Sequence, residues 1–237
     1  MDAAGYTTLT RQAGLMHEMQ AVAHNIANVA TTGFRKEGVI FAEHIARLED
    51  APSLSMATAS VRNIDLTQGS LSETGGTFDF AIEGDGFFLV QTPQGDQLTR
   101  AGSFTPNAEG ELVTPDGNRL LDQGGAPVFI PPDAGKIALA QDGTLSSDGT
   151  PLTRIGLWQP TDPTSMNRAS GTLFATDGGV EPLENAVILQ GYVENSNVDA
   201  VTEIARMIEV QRAYELGQGF LDREDERVRG VIQTLGR

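Results

Sequence analysis

The apolar residues of this 237-residue chain change their spacing twice along the sequence. From about residue 7 to 31 they recur every three to four positions. From 78 to about 192 they alternate within short runs, and from 198 onward the first spacing returns. The first spacing is typical of an amphipathic helix, and alternation is typical of a half-buried strand. The sequence therefore predicts the α+β class, with long N- and C-terminal helices forming a coiled-coil-like pair and a central antiparallel β domain.

These changes of period also predict the domain boundaries. We expect an N-terminal assembly helix over 1–36, an extended connector over 37–78, a β-rich outer domain over 79–197 and a C-terminal assembly helix over 198–237. At the start of the connector the helix is predicted to continue for a short distance, to about Leu48. The β domain is predicted from strands separated by Gly- and Pro-containing turns, because glycine supplies positive φ angles and proline presets the first turn angle.

Both terminal helices carry broad apolar faces. Leu9, Met16 and Ala23 are seven residues apart, and a second row at Leu15, Val22 and Val29 lies beside them. An isolated helix is marginal in water, whereas each buried large side chain contributes roughly 1.5–3 kcal/mol. We therefore expect the two helices to pair and to pack against copies of the chain. The predicted assembly interface comprises Leu9, Met16, Met19, Ala23, Asn25, Ile26, Asn28, Ile204, Ile208, Tyr214, Phe220 and Leu221.

Two asparagines and a glycine stand out within the N-terminal helix. Asn25 and Asn28 lie three residues apart in an alanine-rich stretch. We expect their amides to form directional hydrogen bonds that fix the register of a crowded helix interface. Gly33 is predicted to stop the helix by adopting a left-handed conformation.

The charge of the chain limits its partners. The net charge is −16, and residues 79–197 hold 16 acids against 5 bases, a net charge of −11. Nucleic acids and anionic membranes attract the opposite charge, so neither is an expected partner. The sequence contains no run of about 18 apolar residues, so insertion into a lipid membrane is not expected. The first residues lack the basic and apolar regions of a cleaved signal peptide, so any export is expected to use another route.

The sequence offers little for catalysis. It has no cysteine, and its three histidines include none in the β domain. His17 and His24 are seven residues apart, which is the wrong spacing for one metal ion. We predict no catalytic, cofactor-binding or metal site and no enzyme activity. The alternative is an exported β-domain enzyme with helical oligomerisation arms, since carboxylates are plentiful. If the acids of the β domain are neutralised one at a time, such an enzyme would lose its activity at one or two positions, whereas a structural subunit would keep its function.

Several stretches resemble the flagellar rod and hook family of axial proteins. They are residues 23–35 (AHNIANVATTGFR), 79–90 (DFAIEGDGFFLV), 98–104 (LTRAGSF), 190–198 (QGYVENSNV) and 207–215 (MIEVQRAYE). The resemblance implies a non-enzymatic structural subunit that polymerises through its terminal helices into the periplasmic drive shaft carrying motor torque to the hook. It also implies export by the flagellar type III apparatus without signal cleavage. Implied partners are further copies and other rod subunits, including the distal rod protein.

Overall fold

The described part of the chain, residues 3–48, 51–184 and 187–235, contains two long helices, eighteen strands and a short 3-10 helix at Pro163–Ser165 in this computed structural model. The helices are α1 (Ala3–Ala27) and α2 (Ala200–Leu235). The first nine strands are β1 (Glu37–Leu48), β2 (Ala51–Ile64), β3 (Leu71–Glu73), β4 (Phe80–Glu83), β5 (Phe87–Thr92), β6 (Gly95–Thr99), β7 (Thr105–Pro106), β8 (Leu112–Val113) and β9 (Arg119–Leu120). The others are β10 (Ile137–Leu139), β11 (Thr144–Ser147), β12 (Thr150–Arg154), β13 (Leu157–Pro160), β14 (Met166–Ser170), β15 (Leu173–Thr176), β16 (Val180–Pro182), β17 (Val187–Gln190) and β18 (Tyr192–Glu194).

The chain divides into two compact units. The helical unit contains α1, α2 and the β1–β2 hairpin, and takes in the described residues of 1–27, 36–65 and 198–237. The β body consists of residues 28–35 and the described residues of 66–197. The α+β class is confirmed, with a β-rich body and a C-terminal helix.

The β body is built from antiparallel strands. Its nine-stranded sheet runs β14-β15-β6-β5-β9-β8-β7, and β13 pairs with both β5 and β16. Outside this sheet, β11 pairs with both β10 and β12, β17 pairs with β4, and β18 pairs with β3. The core holds the apolar side chains that alternate along these strands, including Phe80, Ile82, Phe88 and Val90. The Phe88 and Phe104 rings meet edge to face with centroids 5.5 Å apart, a favourable aromatic geometry.

The short helix predicted to about Leu48 is wrong. Residues 37–48 form strand β1, which pairs with β2 from Glu37 opposite Ile64 to Leu48 opposite Ala51. Val39, Ile40 and Phe41 are consecutive β-branched or aromatic residues, and such residues favour strands. The backbone partners of β1 lie in the following segment of sequence, so the local pattern of 37–48 alone did not reveal the pairing.

Helix α2 has a defined start. The Asp199 carboxylate accepts a hydrogen bond from the Thr202 backbone N–H at 2.7 Å, which satisfies one of the free amide groups of the first turn. Hydrogen bonds from the side chain and backbone of Thr202 lower the pKa of Asp199. The helix then continues for 36 residues, about 54 Å at 1.5 Å per residue.

Candidate functional site

Helices α1 and α2 pack antiparallel within the helical unit. Gln12 Nε2 donates a hydrogen bond to the Tyr214 carbonyl at 2.9 Å, and Arg206 Nε donates one to Glu18 Oε1 at 2.6 Å. Residue numbers therefore increase along α1 in the direction in which they decrease along α2, as in an antiparallel pair. The buried apolar side chains here are Leu15 and Val22 of the second row, the neighbouring Ala21, and Val210 in the middle of α2.

The other apolar row of α1 faces away from α2. Leu9 is 50% exposed, Met16 is 38% exposed, and Ala23 is exposed. On α2, Ile204, Ile208 and Phe220 are exposed to 50%, 45% and 40%. The remaining apolar or aromatic members of the predicted interface are half-buried: Met19, Ile26, Tyr214 and Leu221. The structure thus separates a row covered within the chain from a row that is left uncovered.

Asn25 is fully buried in a network that joins α1, β1 and α2 within one chain. Its Oδ1 accepts from the Glu37 backbone N–H at 2.9 Å, and its Nδ2 donates to the Glu37 carbonyl at 2.8 Å. The same Nδ2 donates to Glu203 Oε2 at 2.9 Å. Lys36 Nζ lies 2.6 Å from Glu203 Oε1 and compensates that buried carboxylate. Asn25 makes directional hydrogen bonds as expected, but these described bonds lie within the subunit.

Asn28 and Gly33 lie beyond the end of α1, in the β body. Asn28 is half-buried, and its Oδ1 accepts from Thr31 Oγ1 at 3.1 Å. Gly33 has φ +71°, the left-handed conformation expected of it. Its role as helix stop is wrong, however, because α1 already ends at Ala27. A Cβ at Gly33 would lie 2.2 Å from the Ala101 backbone nitrogen, so the glycine permits a close approach of two backbone segments.

The β body contains a buried charge cluster that was not predicted from the sequence. Glu194 Oε1 lies 2.6 Å from Arg35 Nη1 and accepts from the Gly69 N–H at 2.8 Å. Its Oε2 accepts from Arg100 Nη1 at 3.1 Å. All three charged side chains are almost completely buried, and burial lowers the pKa of Arg100 to about 10 despite the neighbouring Glu194. Arg35, Arg100 and Glu194 each lie in a stretch of sequence that resembles the rod and hook family. That resemblance was the signal in the sequence that could have indicated these residues.

The described residues contain neither a membrane-spanning helix nor a cluster of metal ligands. None of their helices combines the length and apolar character needed to cross a membrane. Their His, Asp and Glu side chains form no group of three or more arranged to hold a metal ion.

Comparison with known proteins gives matches along the whole chain. Residues 81–147 match the family described as flagellar hook protein FlgE/F/G D1 domain, and residues 189–234 match the one described as flagellar basal body rod FlgEFG protein C-terminal. The flagellar basal-body rod protein FlgF of Caulobacter vibrioides is 39% identical over 245 residues, covering 100% of this chain and 99% of the relative. FlgF of Mesorhizobium japonicum is 36% identical, covering 98% and 97%. FlgG of Agrobacterium fabrum is 32% identical, covering 92% and 93%.

The two family matches cover part of the β body and most of α2. Relatives well above 30% identity align with essentially all of the sequence. The chain therefore belongs to the family of flagellar basal-body rod proteins and is a structural subunit of the flagellar basal body.

Proposed function

We propose that this chain is a subunit of the proximal part of the flagellar rod. In this proposal α1 and α2 act as a coiled-coil-like pair that polymerises into the periplasmic drive shaft, which transmits torque from the motor to the hook. The chain performs no catalysis and requires no cofactor. It reaches the periplasm through the flagellar export apparatus without cleavage of a signal peptide.

The observation that carries this proposal is the uncovered apolar surface of the helical unit. Leu9 and Met16 on α1, and Ile204 and Ile208 on α2, remain substantially exposed although α1 and α2 already pack together. Burying one such side chain contributes roughly 1.5–3 kcal/mol. Several of them repeated in every subunit supply a large driving force for polymerisation.

The proposed partners are further copies of this chain and other rod subunits, including the distal rod protein. The relatives support this choice because they include two kinds of basal-body rod protein, FlgF and FlgG. Neither nucleic acid nor lipid insertion forms part of the proposed function, in keeping with the net charge of −16.

The second candidate is the distal rod protein itself. It is favoured by the FlgG relatives, which are 28–32% identical and cover 88–97% of this chain. The FlgF relatives reach 39% identity and cover 98–100% of the chain, which favours the proximal position.

The proposal is tested by the substitution Ile208→Asp in a strain lacking its own copy of the protein. The aspartate would place an unpaired charge in a dry subunit interface, at a cost of roughly 2 kcal/mol or more in each subunit. We expect swimming to be lost and basal bodies to stop before the hook. The melting transition of the β body should not change, because Ile208 lies in the helical unit.

The matched control is Ile208→Leu, which keeps the volume and apolar character of the side chain and should preserve swimming. Normal swimming with Ile208→Asp would contradict the assembly role of this surface. So would loss of swimming accompanied by collapse of the isolated monomer, because Ile208 would then be needed for folding of the subunit.

A further inference from the structure

Helix α2 extends beyond the part that α1 covers. The antiparallel contacts of Gln12 with Tyr214 and of Glu18 with Arg206 place the start of α1 opposite about residue 223. Val228, Val231 and Ile232 follow this point and are 44%, 46% and 64% exposed. The same side of the helix is therefore buried in its middle and bare near its end.

The helical spacing shows that this bare segment continues the side that faces α1. Val210 is buried at 3% exposure, and Val228 follows it by about five helical turns, so both side chains point in the same direction. Val231 and Ile232 lie on either side of that direction. We call residues 228–232 the bare end of α2.

A groove lies on one flank of the helix pair. It has a volume of about 360 Å³, and its lining includes Arg11, Gln12, Leu15, Ala213, Leu216 and Phe220. Water in this groove contacts the apolar side chains of the lining, and its release would favour docking of an apolar segment. We call this space the α1–α2 groove.

We propose that the α1–α2 groove of one copy receives the bare end of α2 from a second copy. This inference rests on the polymerisation proposed above and identifies one of its contacts. The groove and the bare end are different patches of the same chain, so their contact is head-to-tail. Head-to-tail contacts that do not close into a ring produce open helical filaments. A rod requires that kind of contact.

The chemistry of the two surfaces is complementary. The aliphatic side chains of the bare end match Leu15, Ala213 and Leu216 in the groove. Arg11 in the groove lining has no acidic partner among the described residues. Among the described residues, Asp225, one turn before the bare end, pairs with Arg229 at 2.8 Å, and both side chains are exposed to solvent. Such an exposed pair is weak, so Asp225 is available to Arg11 of a second copy.

The test uses cysteine pairs, because the natural chain has no cysteine. Leu216 and Val231 are 15 residues apart on one helix, about 22 Å, so a short thiol-reactive cross-linker cannot join them within one copy. In basal bodies isolated from cells carrying Leu216→Cys with Val231→Cys, we expect a ladder of covalent multimers. A second pair, Ala213→Cys with Val228→Cys, has the same spacing and should give the same ladder.

The matched control is Gln211→Cys with Val231→Cys, which moves the first cysteine to an exposed position on the other flank of α2 and should give no ladder. If a cysteine pair abolishes swimming, the purified full-length protein carrying that pair is cross-linked instead. The same ladder of multimers is expected. Assembled rods without a ladder would overturn this contact while leaving the proposed rod function intact. Dimers alone would overturn the head-to-tail arrangement, and an equal ladder from the control would overturn the choice of groove.

Discussion

At the scale of single residues, Glu194 joins three separate segments of the β body. Its carboxylate binds Arg35, Gly69 and Arg100, and its carbonyl accepts the Gly33 N–H at 2.7 Å. Two buried arginines depend on this one buried acid. Burying charges is costly unless they are paired and hydrogen-bonded, so removing the shared acid leaves the arginines poorly compensated.

We therefore expect Glu194→Gln to destabilise the β body by about 3–5 kcal/mol, the usual cost of breaking a buried ion pair. The free energy of unfolding, measured by denaturant titration of the full chain, checks this value. The control is Glu111→Gln, which breaks the partly exposed pair with Arg119 at 2.8 Å and should cost about 0–1 kcal/mol. Equal effects of the two substitutions would show that Glu194 is not a special junction.

At the scale of elements, α1 shows what periodicity can and cannot decide. The spacing of apolar residues indicated a helix with two neighbouring apolar rows, and the helix spans Ala3–Ala27. Spacing could not decide which row faces α2, because both rows are apolar. The contact in the structure uses Leu15 and Val22 and leaves Leu9 and Met16 exposed. The β1–β2 hairpin shows the same limit, since strand pairing depends on a partner segment as well as on local residues.

Asn25 joins three elements, and the substitution Asn25→Asp tests this junction. An aspartate could still accept the Glu37 N–H, but it could no longer donate to the Glu37 carbonyl or to Glu203. It would also add a buried negative charge beside two buried glutamates. We expect the helical unit to lose roughly 2–5 kcal/mol, because buried acceptors are left unpaired.

Amide hydrogen exchange in α1, β1 and α2 measures that loss as faster exchange. The control is Gln20→Glu, the same change from amide to acid at an exposed position of the same helix, and it should have little effect. Unchanged exchange with Asn25→Asp would show that the network does not hold these elements together.

At the scale of the whole molecule, the net charge of −16 opposes association. The apolar surface of α1 and α2 must overcome this repulsion between subunits. Mobile ions screen interactions between exposed charges farther apart than about 10 Å at 0.1 M salt. Salts that are excluded from the protein surface also strengthen apolar association. We therefore expect the purified full chain to associate more strongly as salt rises from about 0.01 to 0.5 M, measured by analytical ultracentrifugation. Weaker association at high salt would mean that ion pairs between subunits outweigh both effects.

The sequence by itself determined the helical ends, the β-rich middle and the membership of the rod family. These features rest on local periodicity, turn residues and continuous motifs, all of which are readable along the chain. Only the tertiary structure decided that Asn25 bonds within its own subunit, that Glu194 gathers Arg35 and Arg100, and which side of each helix stays bare. These outcomes depend on which distant residues meet in space. A charged or apolar side chain has many possible partners in sequence, and folding selects among them by burial and geometry.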